Sequence, residues 1–112
     1  MTMNMSARGG SASGGKKIEQ TKSELPIITV IGEDKPGIVA QVSTMLWKKN
    51  VNIEELNQGV IKGKFFMLMA VDLGKSSVTF EQLSRELKQL GEKIGLDISL
   101  YNQQIFTAMN RI

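Results

Sequence analysis

Residues 27–52 read IITVIGEDKPGIVAQVSTMLWKKNVN, and no other stretch of the chain constrains the fold so tightly. Ile27, Ile28, Thr29, Val30 and Ile31 form a mostly apolar run of strand length, broken by Gly32. A turn of Glu33, Asp34, Lys35, Pro36 and Gly37 follows and opens onto helical spacing. The expected helix covers residues 36–49. Asp34 or Lys35 is at its cap, and Pro36 falls in the first turn, where its missing donor costs nothing. Ile38, Val42, Met45, Leu46 and Lys49 share one face of this helix, with Trp47 and Lys48 towards the other. A helix with one apolar stripe, fed directly by a strand, buries that stripe by folding back onto a sheet.

The remaining elements complete the sheet. Residues 51–61 mix β-branched and polar side chains, Lys62 and Gly63 make a hairpin turn, and residues 64–73 form a third strand. After a loop at 74–77, Thr79 and Gln82 have the spacing of a capping box. The helix it opens carries Phe80, Leu83, Leu87, Leu90 and Ile94 as one stripe, and Gly95 stops it. Residues 96–103 are the last strand. The order β-α-β-β-α-β is the ferredoxin-like arrangement, an α+β fold with a four-stranded antiparallel sheet and two helices on one face. The first and third strands are apolar on both faces and belong in the middle, whereas the last alternates like an edge strand. Residues 104–112 (QIFTAMNRI) give a short helical tail on which Ile105, Met109 and Ile112 align.

Composition narrows the chemistry. Residues 25–112 read as the domain, while residues 1–24 are rich in Gly, Ser and charge and are expected to be disordered, whether native or a vector remnant. Of the net charge of +3, Arg8, Lys16, Lys17 and Lys22 against Glu19 and Glu24 put +2 in that segment. The domain is left nearly balanced, which speaks against a nucleic-acid-binding face. There is no Cys, hence no disulfide, thiol nucleophile or thiolate metal site. There is no His either, so the commonest general base and the commonest transition-metal ligand are missing. Glu33 with Asp34 and Glu54 with Glu55 read as caps or solvated edges rather than Mg²⁺ ligands. No enzymatic activity, metal or other cofactor is expected. No stretch reads as a signal peptide or a membrane span, and the lack of Cys fits a reducing cytoplasm.

The turn at residues 32–37 is where function is to be sought. It directs backbone N–H groups and the positive end of a helix dipole into one concavity, a natural seat for a carboxylate or other small anion. From Asp34-Lys35-Pro36-Gly37-Ile38 through the helix to Val51-Asn52-Ile53, the chain resembles the ACT domain, a regulatory module that commonly binds amino acids and related small molecules. The closing Ile105-Phe106-Thr107-Ala108-Met109-Asn110-Arg111-Ile112 resembles the ending of short, stand-alone single-ACT proteins of unassigned function. The resemblance implies paired copies, with ligand held where the first turn and helix face the partner's second strand. It puts Asp34 at the ligand's amino end, Gly37 where the ligand approaches the backbone, and Asn52 as an amide bridging the interface. Gly32 stands where serine-sensing members carry a His. Each residue also has a structural reading: Asp34 as a helix N-cap, Gly37 as a close-approach glycine, Asn52 as a connector.

Two other uses of the fold stay open. One is a structural dimer module that binds a protein partner and no metabolite. The other, less favoured, is RNA binding, since Lys62-Gly63-Lys64-Phe65-Phe66 superficially resembles the signature of the RNA-recognition motif. The stacking platform that family needs is lacking, because Lys64 and Thr29 stand where aromatics belong, and Phe65 and Phe66 read as core and interface residues. A homodimer is expected, with the second sheet face or the second-strand edge at the subunit contact. The two helices cover one face of the sheet only, and the apolar third strand leaves the other to be covered by the tail, a partner, or both.

Overall fold

In the computed structural model, which describes residues 25–109, seven elements follow one another. They are β1 (Ile27–Glu33), α1 (Ile38–Lys48), β2 (Asn52–Ile61), β3 (Lys64–Asp72), α2 (Phe80–Ile94), β4 (Asp97–Tyr101) and α3 (Gln103–Met109). The expected disorder of residues 1–24 and the place of Ile112 lie outside the described residues. The sheet is antiparallel throughout, in the order β2-β3-β1-β4, so the two strands that are apolar on both faces are indeed central. This is the ferredoxin-like architecture.

The core lies between the sheet and α1 and α2. Ile28 and Val30 of β1, Phe65, Met67, Met69 and Val71 of β3, and Ile98 and Leu100 of β4 point into it. They meet Ile38, Val42 and Leu46 of α1 and Leu83 and Leu87 of α2. Alternation along the strands sends every second residue the other way, to a face with no long helix. Gly91 brings α2 hard against the start of β4, where an added Cβ would come within 3.3 Å of the Ile98 backbone nitrogen.

Several boundaries differ from the sequence reading, each for a local reason. β1 does not break at Gly32 but runs to Glu33, because Gly32 keeps the ladder opposite Phe65 and its missing Cβ leaves room for the Leu96 side chain. α1 starts at Ile38 rather than Pro36, because Gly37 takes a left-handed conformation. β4 stops at Tyr101 rather than 103. Asn102 turns the chain there, its Oδ1 accepting from the Ile105 N–H at 2.8 Å. The anticipated stop at Gly95 and the capping box at Thr79 are both present.

The tail docks, but by a different residue. Phe106 packs against Leu25, Ile27 and Ala70 on the open face, and its ring lies 6.3 Å from that of Tyr101. Ile105 and Met109, expected to cover the sheet, stay 52% and 57% exposed. A register that aligns Ile105 and Met109 on one flank puts Phe106 on the next, and the aromatic ring buries more surface there.

Candidate functional site

Gly37 is the N-cap residue of α1, with φ 83° and ψ 4°. An L side chain in this left-handed region costs roughly 1–2 kcal/mol, so the backbone itself selects glycine. Close helix–strand approach is not the reason. A Cβ here would meet only Gln41 Nε2, at an ordinary 3.7 Å. Because glycine holds the cap position, α1 has no side-chain cap, and its first turn, opening Ile38-Val39-Ala40, carries no acidic residue. Its leading N–H groups and the positive end of its dipole therefore have no side-chain acceptor.

Asp34 is not the cap that one sequence reading allowed. Its backbone N–H donates to the Gly63 carbonyl at 3.3 Å, which ties the turn to the β2–β3 hairpin, and the residue is exposed. Lys35, the one cation of the turn, is committed elsewhere. Its Nζ donates to the Ile94 carbonyl at 2.7 Å, at the C-terminal end of α2, where a positive charge complements the dipole. The turn thus presents bare backbone donors beside a carboxylate. That arrangement suits a molecule carrying both a carboxylate and an ammonium group.

Asn52 stands far from this turn in the single chain. It opens β2 opposite Asp72, whereas Glu33, beside Asp34, lies opposite Lys64. Those two partners are eight residue steps apart along β3, about 26 Å at strand rise. The Asn52 amide donates to Glu54 Oε2 at 2.5 Å. Asp34 and Gly37 are brought together by the fold, and Asn52 is not.

The helix layer carries a shallow groove of about 440 Å³, lined by Ala40, Gln41, Thr44, Met45, Lys48 and Leu90. It runs between α1 and α2 and reaches the turn only through Gln41. No polar or charged side chain is buried among the described residues, and no cluster of three or more potential metal-ligating side chains occurs among them. Two features at the turn escaped the sequence reading: the side chain of Gln41 and the distant partner of Lys35. Gln41 sits one helical turn beyond Gly37, a spacing that would have marked it. Lys35 meets a partner 59 residues away, which no local pattern reveals.

Comparison with known proteins bears on this site. The model of the ACT domain matches residues 24–101. A UPF0237 protein of Methanopyrus kandleri is 41% identical over 86 residues, which is 77% of this chain and 96% of that one. Among solved structures, an ACT domain protein from Streptococcus pneumoniae superposes with a TM-score of 0.65 at 32% identity, covering 74% of this chain and 93% of its own. The regulatory subunit of aspartate kinase from Thermus thermophilus gives a TM-score of 0.54 at 28% identity, over 69% of this chain and 50% of that one. The matched region spans the β1–α1 turn, the whole sheet and both long helices. From that region and the relative aligned along nearly its full length, the chain belongs to the ACT domain family.

Proposed function

We propose that this protein is a non-catalytic regulator that senses an amino acid or a small carboxylate at a site two copies complete. The observation that carries the reading is the uncapped start of α1 beside an Asp34 that is free of capping duty. The N–H groups suit the ligand's carboxylate, Asp34 its ammonium, and Gly37 its close approach to the backbone. Likeness to a regulatory subunit of aspartate kinase supports a regulatory role. No helix among the described residues is long and apolar enough to cross a membrane, and the lack of Cys suits a reducing cytoplasm.

Assembly as a homodimer through β2 supports the place of Asn52 in this scheme. β2 is an edge strand, and a two-fold axis beside it would run the two copies antiparallel. The partner subunit's Asn52 then comes to the end of the sheet where Gly63 holds Asp34. There is apolar surface for such a contact to bury. Leu56 and Val60 pair with Met69 and Phe65, so they face the helix side, yet α1 leaves them exposed. Trp47 on α1 is 76% exposed.

The second reading, a dimer module for a regulated protein partner without a metabolite, is favoured by one feature: the Asn52 amide already has Glu54 as partner. A thermal-shift screen of the common amino acids and short carboxylates separates the two. A ligand at a hundred times its dissociation constant adds about 2.7 kcal/mol of stability. At least one compound is expected to raise the unfolding temperature in a saturable way. A flat response to all of them supports the partner-only module.

A further inference from the structure

The open face of the sheet is half covered. At one end Phe106 of α3 sits on Leu25, Ile27 and Ala70. At the other, Ile31 and Phe66 lie opposite each other across β1 and β3, with Leu68 two residues along on the same face. Ile31 is 52% and Leu68 36% exposed, and Phe66 is half-buried, its ring lying over Gly59 of β2. Beside this bare half, α3 turns Ile105 and Met109 outwards. A seven-residue helix is marginal on its own, and here a single aromatic residue anchors it. Exposed apolar side chains are thus left on both the raised and the flat half of one face, the kind of patch that marks an interaction site.

The chain outside the described residues is poor in apolar side chains: residues 1–24 carry only Met1, Met3, Met5, Ala7, Ala12 and Ile18, and the three methionines are 20 or more positions from Leu25. Residues 110–112 add one, Ile112. A nucleic acid is not called for by the charge, because Lys64 at the rim stands in register with Glu33. The face is, however, complementary to itself. One half is a ridge with an apolar crest, and the other is flat, apolar at Ile31, Phe66 and Leu68, with Gly59 offering no side chain of its own and Asp97 and Ser99 bordering it on β4.

We infer that two copies meet through this face, about a two-fold axis that lies in the plane of contact between the two halves, so that the α3 of each rests on the bare half of the other. Ile105 and Met109 then pack against the partner subunit's Ile31, Phe66 and Leu68, and the reciprocal contact forms at the same time. This contact stands apart from the ligand reading and uses a different surface from the β2 edge. Both can form together, which gives an assembly of four.

Sedimentation velocity of the full chain tests the contact by charge exchange. Ile105→Glu and Leu68→Lys each replace an exposed side chain, so both variants are expected to fold, and circular dichroism verifies it. Met109→Glu and Ile31→Lys repeat the pair at neighbouring positions should either variant unfold. Each variant alone should sediment at a smaller mass than the native chain, since a buried charge then faces apolar surface twice. An equimolar mixture should return to the native mass. On one side of the mixed pair the introduced carboxylate meets the introduced ammonium, while the other side keeps its native Leu68 and Ile105. Single variants that keep the native mass, or a mixture that stays small, would overturn the inference.

Discussion

The two long helices begin in opposite ways. α2 starts with both halves of a capping box in place: Thr79 Oγ1 accepts from the Gln82 N–H at 3.1 Å, and Gln82 Oε1 accepts from the Thr79 N–H at 2.9 Å. It ends with a cation as well, Lys35 at the Ile94 carbonyl. α1 starts at a left-handed glycine with no side chain to close it. Both helices bury comparable apolar stripes against the same sheet. The difference therefore lies at their ends, and it separates a helix finished for stability from one whose donors are left for something else.

Substitutions at the two starts sharpen that contrast. The largest loss of stability is expected for Gly37→Ala. A Cβ has room there, but an L residue at φ 83° costs about 1–2 kcal/mol, readable as a lower urea midpoint with an unchanged slope. Next comes Thr79→Ala, which removes one partner of the box and should cost about 1 kcal/mol by the same measurement. The smallest change is expected for Asp34→Ala. Were Asp34 the cap of α1, it would match Thr79→Ala. As a side chain outside the cap, it should shift stability by less than about 0.5 kcal/mol. Its binding should nevertheless weaken by roughly tenfold or more, the share of a charged hydrogen bond. A loss of about 1 kcal/mol at Asp34 would erase the comparison.

Most of the frame was legible in the sequence, because it rests on local chemistry. The alternation of Leu96 to Leu100, the apolar run of β3, the Thr79–Gln82 spacing and the stop at Gly95 each encode one element, and together they leave one topology. What escaped depended on contacts between distant segments or on a single torsion angle. Proline at 36 reads as a first-turn residue until Gly37 is seen to flip into the left-handed region. The inward residue of α3 is a choice between neighbouring flanks of one short helix, settled by where Leu25 and Ala70 lie. In the proposed site, Asp34 and Gly37 were within reach of local reading, since they share one turn. Asn52 was tied to them only through the family resemblance, because its distance from that turn follows from the direction of β2, and only a second copy would close it.

The proposed dependence on a second copy gives the most direct test. Asp34→Ala and Asn52→Ala chains are mixed in equal amounts, allowed to exchange subunits, and titrated with the compound that most stabilises the native protein. In a mixed dimer one site loses both residues and the other keeps both, Asp34 from one chain and Asn52 from the other. Each variant alone should bind at least about tenfold more weakly than the native chain, while the mixture should regain native affinity in a fraction of its sites. A mixture that binds no better than its separate components, or variants that bind as tightly as the native chain, would contradict a site built from two copies.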